Sequence, residues 1–199
     1  MPPAATAPAP APFATTKISD NSYIFRYQGH QSLFVVTRAG VIVTDPISLR
    51  RPAAAQAYIA EIRKITQAPI KYVIYSHHHY DHIAGGKPFK DLGATFIAHR
   101  NATARLKVLK NANVVMPDIS IGDRHDISLG GVKVELHYVG RNHSDNSLVL
   151  RVPQDRLIFA VDFIPIETVQ FRDMPDGYLP DWWQCNLYSV NSREAVHFG

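Results

Sequence analysis

Cysteine is nearly absent from these 199 residues: Cys185 stands alone. A single thiol excludes an internal disulfide and any metal site built from several thiolates. Long apolar runs are missing as well, since no stretch reaches the roughly 18 residues that a membrane span needs. Blocks of one charge are also missing. Lys and Arg number 21 against 17 Asp and Glu, a net charge of +4. The basic residues are scattered, so no nucleic-acid patch is expected. There is no internal repeat and no second linker. What remains is a chain of single-domain length, 46% hydrophobic, with enough apolar residues for one sizeable core.

The first sixteen residues hold five prolines and six alanines. Such a stretch does not bury a core, so residues 1–16 are expected to be a disordered leader and residues 17–199 the folded domain. The leader lacks the basic and apolar regions of a secretory signal. Ala/Pro stretches also follow removed signals, so exported or periplasmic and cytoplasmic locations both stay open. The oligomeric state is not legible either.

Beyond the leader, Tyr23 to Tyr27, Ser32 to Thr37 and Gly40 to Asp45 read as strands. Pro52 opens a helix whose apolar face is Tyr58, Ile59, Ile62 and Ile65. Ile70 to Ser76 is a buried strand running into His77. A short helix follows Gly86, a strand covers Ala94 to Ala98, and a helix covers Asn101 to Lys110. After Pro117 the texture is all strand, at Arg124–Leu129, Val132–Val139, Ser147–Val152 and Arg156–Val161. The order implies an α/β architecture of two packed sheets with helices outside. Periodicity does not fix the strand order.

Histidine is where the sequence is rich. Four of its ten histidines fall within His77-His78-His79-Tyr80-Asp81-His82. His77 and His79 are two apart at a strand end, so in extended chain their imidazoles point the same way and meet one metal. Asp81 and His82 follow as the chain turns and are placed for a second metal alongside. Imidazole and carboxylate are ligands that zinc accepts. The bland alternative is a polar loop of solvated histidines.

HHHYDH resembles the HxHxDH motif of the metallo-β-lactamase superfamily, with His78 and Tyr80 in the free positions. The resemblance runs from about Ile18 to the C-terminus. Its other markers are Asp45 at the end of an early strand, Gly140-Arg-Asn-His143-Ser-Asp-Asn-Ser, and Val161-Asp162-Phe163. It implies an αββα sandwich of two mixed sheets holding two metals at one edge. It implies that His77, His79 and His143 bind the first metal, that Asp81 and His82 bind the second, and that Asp162 bridges them. Asp45 then orients the histidine loop, or merely shapes an Asp-Pro turn. Asn146 is a candidate for polarising a substrate carbonyl. Gly85 and Gly86 either let backbone or substrate approach closely or turn the chain into the next helix.

The implied chemistry is hydrolysis by water that Zn2+ has acidified, from a pKa of about 15.7 to about 7, with one or two zinc ions per chain and Asp81 as the candidate catalytic residue. Such a site needs no Ser–His–Asp or Cys–His arrangement. An aspartate at position 162 resembles the glyoxalase II-like thioesterase and lactonase branches more than the β-lactamases, which commonly carry cysteine there. Pro165 stands where lactonases of acyl-homoserine lactones often carry tyrosine. The substrate class is therefore a small ester, thioester, lactone or amide. Alternatives are a persulfide dioxygenase of the same fold with a single iron, and an inactive fragment or binding module.

The family pattern is broken at one place. The usual late Gly-His element is missing, and the only histidine after Asp162 is His197. His197 is a weak candidate for the sixth ligand. Residues 176–196 resemble the family's last long helix, so the chain is expected to stop short of the final strand, with His197 at a frayed end. The aromatic segment Tyr178–Trp183, with Phe163 and Phe171, is a candidate wall for an apolar pocket. His99, ending a strand, is expected to be structural.

Overall fold

The computed structural model describes residues 11–163 and the backbone of 195–198. Seven strands form the first sheet in sequence order: β1 (Phe13–Lys17), β2 (Ser22–Tyr27), β3 (His30–Thr37), β4 (Gly40–Thr44), β5 (Ile70–Ile74), β6 (Thr95–His99) and β7 (Ile119–Ile121). β1 to β4 are an antiparallel meander, and β4 to β7 run parallel. The second sheet has β8 (Arg124–Leu129), β9 (Val132–Tyr138), β10 (Leu148–Val152), β11 (Leu157–Ala160) and β12 (Ala195–Phe198). Its spatial order is β12-β11-β10-β9-β8, with only β11 and β12 parallel. Among the described residues four α-helices intervene: α1 (Ala54–Ile65), α2 (Tyr80–Ile83), α3 (Lys87–Asp91) and α4 (Arg100–Leu109). These are mixed sheets flanked by helices, as the resemblance implied.

Strand alternation sorts the apolar residues into two layers. Ile24, Leu33, Val35, Ile42, Ile74 and Ile97 face the second sheet and meet Val134, Leu136, Leu148, Leu150 and Phe159. Their neighbours in sequence, Phe25, Phe34, Val43, Val73 and Phe96, face outward to the helices. There Tyr58 of α1 stacks on Phe25 with ring centroids 4.5 Å apart. Its hydroxyl donates to the Leu33 carbonyl at 2.9 Å. Burial on both faces at the centre of the first sheet explains why β4 reads as a nearly continuous apolar run. Ile65, expected on the apolar face of α1, is 39% exposed at its last position.

Four elements depart from the sequence reading. Phe13–Lys17 is a strand, so most of the tail end of the expected leader is ordered; it pairs with all but the first residue of β2. Phe13 supplies the reason, packing its ring against Phe25 and Tyr27. The chain turn after His79 is a helical turn, α2. β7 is three residues long and extends the parallel sheet beside β6. Finally, Ala195–Phe198 is neither helix nor frayed end. It pairs with β11, placing the His197 backbone opposite Phe159. Cys185, Pro165, Phe171 and Tyr178–Trp183 lie outside the described residues.

Candidate metal centre

The carboxyl ends of β4 and β5 lie side by side, and the chemistry gathers there. Asp45 follows β4 and is wholly buried. Its Oδ1 accepts the Ser76 backbone N–H at 2.8 Å. The Ser76 carbonyl accepts from Leu148 N of the second sheet at 2.7 Å. The first residue of the histidine loop is thus clamped from both sheets. Asp45 stands at φ +42°, a region that aspartate tolerates better than most residues. Its role in the structure is to hold this loop, beyond shaping the Asp45-Pro46 turn.

His77 Nδ1 lies 2.9 Å from Ser76 Oγ, which sets the ring so that Nε2 faces the cluster. That Nε2 is buried and has no hydrogen-bond partner among the described residues. His79 immediately precedes α2, and this single turn carries Asp81 and His82 to the neighbouring side. His143 arrives from the loop between β9 and β10, and Asp162 from just past β11.

One donor atom each from His77, His79, His143 and Asp162 falls in a group whose members all lie within 4.8 Å of one another. His79 Nδ1 is 2.9 Å from His143 Nε2. Asp162 Oδ2 is 3.3 Å from His77 Nε2 and 3.4 Å from His143 Nε2. Four donors at zinc's usual bond lengths, arranged as a tetrahedron, are spaced by about 3.3 Å. This donor set therefore fits a single divalent ion in size and in chemistry.

His82 lies beside this group. Its Nε2 is 2.9 Å from Asp162 Oδ2 and 3.9 Å from Asp81 Oδ2. Its Nδ1 is 3.7 Å from Asp45 Oδ2. The Asp162 carboxylate thus stands between the three-histidine group and the Asp81–His82 side. Asp162 takes φ +67°, so the chain leaves its regular strand at the residue that joins the two groups.

Electrostatics follow from burial and neighbours. Burial pushes the His77 imidazole well below its ordinary range, against the pull of Asp162. Burial also pushes His143 down to about 4. For His82 burial acts the same way, but Asp162 and Asp45 outweigh it and hold the ring well above the usual value. Burial would raise Asp162, yet His82 and His77 hold it well below the carboxylate range. Asp81 behaves alike, held down against burial by the His30 hydrogen bond and by His82.

The third member beside Asp81 and His82 is His30, which sequence reasoning missed. Its Nε2 is 2.9 Å from Asp81 Oδ2. Strand direction was the available signal. β3 runs antiparallel to β4 and β4 parallel to β5, so the start of β3 shares an edge with the end of β5. His78 points elsewhere, its Nδ1 3.0 Å from Asn146 Nδ2. Asn146 is fully buried, and its amide nitrogen is committed to His78 and Asp145. Phe163 is buried and packs with Val149 and Ala160. His99 is buried, stacks on Tyr138 and accepts the Asn101 N–H at the start of α4. Gly85 answers to backbone crowding: an added Cβ would sit 2.4 Å from the Pro46 carbonyl oxygen.

The chain is 26% identical over 155 residues to the 2,4-dinitroanisole O-demethylase subunit alpha of Nocardioides sp. (strain JS1661), covering 76% of this chain and 46% of that protein. It is 25% identical over 169 residues to a hydroxyacylglutathione hydrolase of Rhizobium meliloti (strain 1021), covering 80% and 60%. The chain spans about half the length of the curated relatives it matches. Among solved structures, a metallo-beta-lactamase from Pontibacter korlensis superimposes with a TM-score of 0.80 at 18% identity, covering 94% of this chain and 90% of that one. The family description "Metallo-beta-lactamase superfamily" matches residues 27–187, and the chain belongs to that superfamily.

Proposed function

We propose that the chain is a zinc-dependent hydrolase of a small ester, thioester, lactone or amide. In this reading His77, His79 and His143 hold one zinc, Asp81 and His82 hold a second, and Asp162 serves both. The observation that carries it is the position of Asp162 Oδ2, 3.3, 3.4 and 2.9 Å from His77, His143 and His82 respectively. Bound zinc supplies Lewis acidity and lowers the pKa of coordinated water to about 7.

The chain's own residues supply the rest. Burial keeps His77 and His143 neutral, so their lone pairs are free of competing protons near neutral pH. Asp162 stays ionised between them and balances positive charge. Asp45 holds the loop that presents His77, through the Ser76 N–H. The Asp81 side chain is 42% exposed, against 18% for Asp162, so it is the carboxylate that an incoming substrate meets first. The similarity to a hydroxyacylglutathione hydrolase and to a metallo-beta-lactamase supports hydrolysis. The similarity to an O-demethylase subunit adds an aryl ether to the substrates worth assaying.

The test is a turnover screen of the zinc-loaded chain across thioesters, lactones, esters, amides including β-lactams, and aryl ethers. One of these is expected to be hydrolysed, and Asp81→Ala is expected to abolish that turnover while the first zinc stays bound. Full activity in the Asp81→Ala variant would overturn the two-metal reading. Bound iron with oxygen uptake and no hydrolysis would overturn the hydrolase reading itself.

A further inference from the structure

His197 is the only histidine downstream of Asp162. Its backbone is opposite Phe159, three residues before Asp162 on the parallel neighbour. At about 3.3 Å per residue, that is roughly 10 Å short of the level of Asp162. A different histidine is already at the edge where Asp81 and His82 stand.

His30 opens β3 and closes the β2–β3 hairpin opposite Tyr27. The Gln28–Gly29 turn of this hairpin, with Gln28 at φ +53°, places its tip over the end of the sheet that carries Asp45 and His77. His30 Nε2 lies 2.9 Å from Asp81 Oδ2, and its ring centroid lies 5.0 Å from that of His82. One donor atom each from His30, Asp81 and His82 lies within 4.8 Å of the other two. The His30 side chain is only 18% exposed, and its Nδ1 is buried without a hydrogen-bond partner among the described residues. A solvated loop histidine has no reason to be held this way. Imidazole, carboxylate and imidazole are donors of the kind zinc takes, and Asp162 Oδ2 lies 2.9 Å from His82 Nε2 beside them.

We propose that His30 is a protein ligand of the second metal, delivered by the N-terminal hairpin. The inference rests on the two-metal reading above. It assigns the hairpin a direct part in the site.

The test compares the wild-type chain with His30→Ala, His30→Gln and His30→Cys by zinc titration with elemental analysis, and by the absorption spectrum after cobalt substitution. Glutamine keeps a side chain able to donate a hydrogen bond to Asp81 but is a poor zinc ligand. Cysteine offers a thiolate, which binds these metals well. The wild type is expected to take up two ions. Both His30→Ala and His30→Gln are expected to keep the first ion and weaken the second at least about 100-fold, beyond the effect of losing a mere supporting contact. Cobalt-loaded His30→Cys is expected to gain a thiolate-to-cobalt charge-transfer band. A His30→Gln variant that holds the second ion as tightly as wild type would reduce His30 to a positioning partner of Asp81 and overturn the inference. So would a wild-type chain that takes up one ion only; in both cases the first site stands. A wild-type chain that binds neither ion overturns the metal-centre reading along with it.

Discussion

At the residue scale, the decisive fact is which ring nitrogen each histidine presents. His77 and His143 offer Nε2 to the centre, whereas His79 offers Nδ1. His79 immediately precedes α2, where the chain passes from extended to helical. Substituting His79→Ala removes one of three imidazoles from the first site and leaves Asp81 and His82 in place. Zinc retained after dialysis is expected to fall to well under half of the wild-type first-site amount, measured by elemental analysis with circular dichroism to check folding. Unchanged stoichiometry would remove His79 from the ligand set. The alternation that brings His77 and His79 together was legible from sequence because it is local. His30 was not, because its partner Asp81 is 51 residues away and their meeting depends on strand order.

At the scale of elements, the site depends on how closely α2 and the residues after it lie on the Asp45–Ile47 turn. Gly85 N donates to the Pro46 carbonyl at 2.6 Å, leaving no room for a side chain. A Cβ there would come within 2.4 Å of that oxygen and 2.9 Å of the Ile47 oxygen, both backbone atoms that do not step aside cheaply. Gly85→Ala is therefore expected to destabilise the fold by about 1–3 kcal/mol and to lower Tm by roughly 2–10 °C. A thermal melt of the metal-free protein reads this directly, and an unchanged Tm would mean that the turn relaxes freely. Sequence reasoning left Gly85 undecided between turn-making and close approach. A glycine's neighbours across space are not written in the residues beside it.

At the scale of the whole molecule, stability against acid reports on charges placed by sheet pairing. Glu135 of β9 is opposite Arg151 of β10 and Asp126 of β8. Lys133 above all, then Arg151 and His137, hold its carboxyl down at about 2, from an ordinary 4.5. A carboxyl lowered on folding contributes stability that is present above its unfolded value and is lost as pH falls through the folded one. Glu135→Gln should thus lower the urea midpoint at pH 7 by the equivalent of about 1 kcal/mol, the scale of a well-placed surface network. The gap between variant and wild type should narrow as pH drops from 4.5 toward 2. A gap that is constant over this range would show that packing, not charge, is what the substitution disturbs.

The sequence by itself determined the β4 and β5 strands, the α1 and α4 helices, and the side on which His77 and His79 emerge. These follow from residue spacing of two or of three to four, which a short window contains. It also marked His143 and Asp162 through the resemblance. Only the tertiary structure decided that the start of β3 would bring His30 beside Asp81. Only it decided that Asp162 would leave its strand between His77 and His82, and that Phe13–Lys17 and Ala195–Phe198 would add strands at the sheet edges. The physical reason is that strand order and edge pairing are set by burying two sheets against each other, a property of residues far apart in the chain.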